Sequence, residues 1–283
     1  MTIFYREQNI ALTTKHQKEN VIAPHFRDLL GATLLVPQID TDVLGTFSGE
    51  IERKGNALET AIQKARLGMQ ATNLSYGLAS EGSFGPHPYI PLLSCDNELL
   101  VFIDDERGFH LHEMLISEET NYAHACVSTL EQAHQFLNSA KFPSHGVILR
   151  PNDWQDHRII FKDAETITAF NKAFDICKLS SSDGQVWLET DMRAHRNPSR
   201  MSVIATLAEK LARRLATPCP SCALPGWGRT GVNRGLECEM CRTETEMVKA
   251  DIFSCVMCDY SESKPRLDGL WYAPQEYCPY CNP

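Results

Sequence analysis

Cys219-Pro220-Ser221-Cys222 is the first of four Cys-x-x-Cys pairs, and the others are Cys238/Cys241, Cys255/Cys258 and Cys278/Cys281. Fifteen residues separate the first pair from the second, and nineteen separate the third from the fourth. Tetrahedral Zn²⁺ takes four soft ligands, and each pair supplies two from one tight turn. The spacing therefore predicts two structural zinc ions, each held by four cysteines.

Two ways of combining the pairs are open. Sequential pairing joins the first pair with the second and the third with the fourth, and we favour it because it closes the shorter loops. A cross-braced arrangement would instead join Cys219/Cys222 with Cys255/Cys258. Both use the same eight ligands and leave no open coordination position, which indicates structural rather than catalytic zinc.

The density of cysteine divides the 283-residue chain into an expected α/β domain over residues 1–216 and a zinc-ribbon module over residues 217–283. No apolar run reaches the roughly 18 residues of a membrane span, and no secretory signal opens the sequence. We therefore expect a cytoplasmic protein with no membrane partner. With 27 Lys and Arg against 36 Asp and Glu, the net charge of −9 argues against nucleic acid as a partner.

The first 216 residues alternate between strand-like and helix-like patterns, which predicts an α/β fold with a mixed sheet. Helices are expected over Lys18–Leu30, Asn56–Met69, Ala164–Cys177 and Ser199–Leu215. Strands are expected over Asn9–Thr13, Thr33–Val36, Leu99–Ile103, Phe109–Leu115, Gly146–Leu149, Arg158–Phe161 and Gln185–Leu188.

Three stretches of this domain carry candidate chemistry. The loop Thr13–Lys18 offers hydroxyls, amides and ammonium groups to an anion. Carboxylates at Glu50, Glu52 and Glu59 suit Mg²⁺, which takes a few carboxylates together with phosphate and water. A third stretch, Ser80-Glu81-Gly82-Ser83, places a carboxylate among small residues that let a ligand approach the backbone.

Taken in order, these stretches resemble the inosine/xanthosine triphosphate pyrophosphatase superfamily. The loop Thr13–Lys18 is similar to its Thr-x-Asn-x-x-Lys motif, with Lys15 in place of Asn. The helix segment Glu59–Ala65 is similar to Glu-Asn-Ala-x-x-Lys-Ala, with Thr60 in place of Asn. Ser80–Ser83 resembles Asp-Asp-Ser-Gly or Glu-Gly-Gly, and Ala194-His195-Arg196 resembles a late Ser-His-Arg.

This resemblance implies a nucleotide-pyrophosphatase-like fold and Mg²⁺-dependent cleavage of non-standard nucleoside triphosphates to monophosphate and pyrophosphate. It implies catalytic roles for three residues, with Glu81 as general base: Glu81, Glu59 and Lys64. It also implies phosphate or base contacts from five further residues: Thr13, Lys15, Lys18, His195 and Arg196. Because Ser80 stands where the family has a carboxylate, a non-catalytic nucleotide or anion sensor remains the alternative.

A second resemblance spans nearly the whole chain. The block GTFSGEIERKGN (45–56) and the string ASEGSFGPHP (79–88) are similar to a bacterial family known as a domain of unknown function, with the same cysteine-rich tail. Five aromatic residues of the module are expected to pack over the zinc ribbons, and a surface for a protein partner or a homodimer is the alternative: Trp227, Trp271, Tyr272, Tyr277 and Tyr280.

Overall fold

The computed structural model describes residues 4–40, 55–152 and 159–282. Five α-helices are α1 (Glu19–Leu30), α2 (Ala57–Thr72), α3 (Leu130–Ser139), α4 (Ile167–Ser180) and α5 (Pro198–Ala216). The strands before the cysteines are β1 (Asn9–Thr13), β2 (Thr33–Leu35), β3 (Tyr76–Pro86), β4 (Ser94–Asp104), β5 (Phe109–Ser117), β6 (His124–Val127), β7 (Val147–Pro151) and β8 (Val186–Thr190).

The larger sheet is mixed, as the sequence predicts. Its strand order is β2-β1-β3-β4-β5, with β1 parallel to β2 and β3, and with β3, β4 and β5 successively antiparallel. Helix α2 packs on one face of this sheet, while α1 and α5 pack together on the other. Strand β3 runs well past the end of β1, because Thr13, the last residue of β1, pairs with Ala79.

The smaller sheet has the order β6-β8-β7 and is antiparallel, with α3 and α4 covering one face. The strand expected over Arg158–Phe161 was wrong in its described part. Residues 159–161 form only a bridge between Phe161 and Leu149, and the next carbonyl, that of Lys162, is bound by the Arg193 guanidinium. Arg158 lies outside the described residues.

Local signals explain where the helices begin and end. Asn56 caps α2 by accepting a hydrogen bond from the Glu59 amide, and the Glu59 carboxylate accepts one from the Asn56 amide. Thr166 caps α4, so this helix begins at Ile167 rather than at the expected Ala164. Gly31 ends α1 in the left-handed conformation, with φ of 65°.

Residues after α5 form the antiparallel sheet β9 (Gly228–Arg234), β10 (Val248–Ser254) and β11 (Ser261–Pro265). This zinc-ribbon module packs on the α/β part, because Val256 and Met257 lie against its core. The Arg214 side chain joins the two parts by donating to the Gly226 carbonyl at 3.2 Å and to Glu113 at 2.7 Å. None of the helices within the described ranges is long and apolar enough to span a bilayer.

Candidate functional site

The cysteine sulfurs come together in two groups of four. Cys219, Cys222, Cys255 and Cys258 form the first centre, and Cys238, Cys241, Cys278 and Cys281 form the second. Within each centre the sulfurs lie within 4.8 Å of one another. Two sulfur pairs of the first centre and one of the second are 3.6–3.8 Å apart. Four sulfurs at 2.3 Å from a tetrahedral Zn²⁺ are about 3.8 Å apart. Donor set and spacing therefore both fit zinc.

The centres are cross-braced, so the favoured sequential pairing was wrong. The antiparallel pairing of β9 with β10 is the physical reason: the chain leaves the first knuckle along β9 and returns along β10 to the third. Ser254 pairs with Gly228 at that end, while the second knuckle lies at the other end of the hairpin. Closing a loop of twice the length costs only about 0.6 kcal/mol more in chain entropy, and strand pairing easily offsets this cost.

Backbone amides support the ligand sulfurs. The amides of Ser221, Met240 and Met257 each donate to the sulfur of the cysteine two residues earlier, at 3.2–3.4 Å. Hydrogen bonds with the side chain and backbone of Thr243 lower the pKa of Cys241 to about 6. Such contacts favour the thiolate, the form that binds zinc.

Within the α/β part, the loop before α1 is shaped like an anion cradle. His16 and Gln17 adopt left-handed conformations, with φ of 66° and 60°. Among the described residues, no backbone hydrogen bond is donated by the amides of His16, Gln17 or Lys18. The loop therefore presents amide hydrogens where β1 ends and α1 begins, the arrangement that binds phosphate in other proteins.

A polar cluster lies beside this loop, on the face of the larger sheet that α5 covers. Lys18 Nζ donates to the Ser80 hydroxyl at 2.8 Å and lies 3.9 Å from Glu98 Oε2. Arg200, on α5, donates to Glu98 Oε1 at 2.6 Å. Asp96 is next to Glu98 on the same face of β4, and all these side chains are buried.

Burial perturbs this cluster strongly. Desolvation, with the nearby Arg200 charge, lowers the pKa of Lys18 to about 8. Desolvation and the neighbouring Glu98 raise the pKa of Asp96 to about 8, so this carboxyl is protonated at neutral pH. One oxygen of Asp96 and one of Glu98 are buried without a hydrogen-bond partner in the described structure. Perturbed groups of this kind concentrate at functional sites.

A second polar group lies across the sheet, on the face that α2 covers. Glu81 follows Ser80 on β3 and therefore points the opposite way, where it pairs with Lys64 of α2. The Thr13 hydroxyl lies on this face too, packed against Gly68 of α2, where an added Cβ would be 2.0 Å from it. The two groups approach each other beyond the end of β1. There the charge of Glu81 raises the pKa of Lys18, and the charge of Lys64 lowers it.

His195 also reaches this region, through the short 3-10 helix Ala194–Arg196. Its ring stacks on that of His16, with the ring centroids 5.1 Å apart. Burial and His195 together lower the pKa of His16 to about 4, so His16 is neutral at physiological pH. Arg196 instead binds Glu165 at 2.8 Å, and Lys15 binds Asp40 at 3.2 Å.

The acidic residues around the start of α2 are placed differently from what the motif order implies. Glu59 is exposed, and its carboxylate belongs to the capping box of α2. Glu50 and Glu52 lie outside the described residues. No group of three carboxylates or imidazoles shares a metal-sized site in the described ranges. A Mg²⁺ ion there would therefore also need oxygen atoms from a bound phosphate compound or from water.

Sequence reasoning missed Asp96 and Glu98. A signal for the two acids was present: they continue the alternating face of Leu100 and Phe102 beyond the apolar run Leu99–Ile103. Charged residues at positions that alternate into a core are either paired or functional. Arg200, the partner of Glu98, is far away in the sequence, so no local pattern predicts that they pair.

The aromatic residues of the zinc-ribbon module divide into two groups. Trp227 is buried against Phe253 and Tyr260, as a packing role predicts. The other four expected aromatics are exposed to solvent, so the packing expectation was wrong for them: Trp271, Tyr272, Tyr277 and Tyr280.

Comparison with known proteins gives one family. A family model, described as a domain of unknown function, matches residues 64–283, from within α2 through both zinc centres. No curated protein matches the chain, and no solved structure does either.

Proposed function

Because the chain belongs to the DUF6671 family, whose function is unknown, we propose from the site alone that it is a Mg²⁺-dependent nucleoside triphosphate pyrophosphohydrolase. The site is the buried junction beyond the end of β1. The reaction adds water to a nucleoside triphosphate and yields the monophosphate and pyrophosphate.

One observation carries this proposal: five buried ionisable side chains and the half-buried Lys64 lie beyond the end of β1, the five being Lys18, Glu81, Asp96, Glu98 and Arg200. Removing such charges from water is expensive, and apolar residues of similar volume stabilise a fold at least as well. Their burial at one place is better explained by a ligand than by stability.

The charge of the junction suits a polyanion. Asp96 is protonated at neutral pH, so three cations face the two carboxylates of Glu81 and Glu98. The amides of His16–Lys18 add partial positive charge without a counter-charge of their own. A phosphate chain entering here would exchange water for ammonium, guanidinium and amide donors.

Residues of the chain then have separate tasks. Lys18 and Lys64, from opposite sides of β3, would hold phosphate oxygens and stabilise the charge that develops in the transition state. Glu81 would accept the proton of the attacking water once the phosphate draws Lys64 away from it. Glu81, together with phosphate oxygens and water, would hold Mg²⁺, and the chemistry supplied by the ion would be neutralisation of the triphosphate charge.

A second candidate is a non-catalytic nucleotide or anion sensor. The placement of Glu59 favours it, because a metal ligand at this residue would break the capping box of α2. A sensor would use the same cations and amides without activating water.

The two candidates are separated by incubating zinc-loaded protein with standard and deaminated nucleoside triphosphates and Mg²⁺, with pyrophosphate and orthophosphate assayed separately. Glu81→Gln should abolish pyrophosphate release without lowering the melting temperature greatly, while Glu119→Gln, at an exposed position, should leave release unchanged. Thermal stabilisation by a nucleotide without release would support the sensor. Full release in Glu81→Gln would rule out the proposed general base.

A further inference from the structure

The two zinc centres differ in what covers their knuckles. At the first centre, Val256 and Met257 lie between the ligands Cys255 and Cys258 and pack against the core of the α/β part. At the second centre, the corresponding apolar residues Met240 and Tyr280 are 68% and 76% exposed. The apolar residues of the Cys-x-x-Cys knuckle are thus covered by the α/β core at the first centre and exposed to solvent at the second.

The open centre is surrounded by further exposed apolar residues. Tyr277 precedes Cys278, whose sulfur is 3.6 Å from that of Cys241, so Met240, Tyr277 and Tyr280 all flank one metal position. Trp271 and Tyr272 lead into Ala273, which pairs with Cys238. Trp271 is 74% exposed and lines a cavity of about 400 Å³. Contiguous exposed apolar surface of this kind marks interaction sites.

Charge identifies the chemistry of the partner. Residues 217–283 contain six Lys and Arg against nine Asp and Glu, and two Zn²⁺ on eight thiolates add a further −4, which gives −7. A second copy of this chain, with a net charge of −9, would be repelled. Exposed aromatic rings attract ammonium and guanidinium groups, and Arg242 already lies over the Tyr272 ring at 3.9 Å.

We propose that Met240, Trp271, Tyr272, Tyr277 and Tyr280, the open knuckle surface, bind a Lys- and Arg-rich segment of another protein. Apolar parts of the segment would cover the second centre as the α/β core covers the first. Cationic side chains would lie on the aromatic rings in the negative field of the module. This surface is independent of the proposed phosphohydrolase site.

The test uses full-length, zinc-loaded protein and a short fluorescein-labelled peptide of Lys, Arg, Leu and Gly, with a matched peptide in which Glu replaces the basic residues. Fluorescence anisotropy should show binding of the basic peptide alone, weakening with salt. The double variant Trp271→Ala/Tyr280→Ala should bind about tenfold more weakly, a loss of about 1.4 kcal/mol. Tyr89→Ala, which removes an aromatic residue that is 83% exposed in the α/β part, should bind as the unmodified protein does.

Zinc content and melting temperature establish that the double variant is folded. Equal affinity of the double variant and the unmodified protein would overturn the proposal, because binding would then follow net charge alone. Preference for the Glu peptide, or no binding of either peptide, would overturn it too. Concentration-dependent dimerisation that the double variant lacks would assign the surface to a second copy, and binding of single-stranded nucleic acid would assign it to base stacking.

Discussion

Lys18 Nζ donates a 2.8 Å hydrogen bond to the hydroxyl of Ser80, a residue 62 positions along the chain. A hydroxyl here cannot balance the ammonium charge, as a carboxylate would. Glu98 on the neighbouring strand β4 supplies a carboxylate instead, 3.9 Å from the same nitrogen. In this chain the negative charge on the α5 side of the sheet therefore comes from β4.

Gly82 is the residue that lets Arg200 reach Glu98. A Cβ at Gly82 would lie 2.3 Å from the Arg200 guanidinium and 2.3 Å from the Glu98 carboxylate. Gly82→Ala should therefore displace this pair and cost about 1–3 kcal/mol of unfolding free energy. It should also weaken stabilisation of the protein by nucleotide.

Gly85 on the same strand provides the matched control, because a Cβ there meets nothing within 4 Å. Denaturant unfolding should find Gly85→Ala within about 0.5 kcal/mol of the unmodified protein. If the two alanine variants unfold at the same denaturant concentration, the close approach at Gly82 has no energetic consequence.

Asp96 should make the protein less stable as pH rises. Its pKa is raised from 3.8 to about 8 by burial, Glu98 and a hydrogen bond with Glu98, against the lowering effects of Arg200 and Lys18. Between these two values the folded state binds the proton and the unfolded state does not, so this group's contribution to stability falls through that window. Asp96→Asn mimics the protonated carboxyl and removes the dependence.

Melting temperatures of Asp96→Asn and the unmodified protein, measured between about pH 5 and about pH 8, test this linkage. The variant should gain several degrees relative to the unmodified protein at the upper end and little at the lower end. A constant difference across the range would mean that folding does not raise the pKa of Asp96.

Glu98 should stabilise the fold, because it pairs with Arg200 and lies near Lys18. Glu98→Gln leaves two buried cations without their carboxylate and should cost about 3–5 kcal/mol. Replacing both members of the pair, in Glu98→Met/Arg200→Met, should recover much of that loss while removing the site. A denaturant double-mutant cycle with the single variants Glu98→Met and Arg200→Met measures the coupling, and additive losses would show that the pair is not coupled.

The sequence predicted individual helices and strands far better than the contacts between distant parts of the chain. Strand β1 and the hairpin of β4 and β5 follow from local periodicity, so they were found within a few residues. The eight cysteines that form two metal-sized groups were identified because four Cys-x-x-Cys pairs are a local pattern. The sequence did not predict which pairs share a centre, because this depends on the β9–β10 hairpin, which brings distant knuckles to one end. Likewise, Arg200 is 102 positions after Glu98, and no local spacing connects them.

The two zinc centres should differ in what their loss does to the α/β part. Cys222→Ser removes a ligand of the first centre, whose Val256 and Met257 pack against the α/β core. Cys241→Ser removes a ligand of the second centre, whose equivalent residues are exposed. Both variants should lose about one of two bound zinc ions, since tight structural binding needs all four ligands. Only Cys222→Ser should lower the melting temperature of the α/β part, by several degrees, because the apolar contact of Val256 and Met257 depends on the knuckle that holds them. Zinc analysis measures the loss of metal, and hydrogen exchange of α5 and β5 measures the effect on the α/β part. Equal loss of protection in the two variants would contradict the difference expected between the centres. Loss of both ions in either variant would show that the centres fold as one unit.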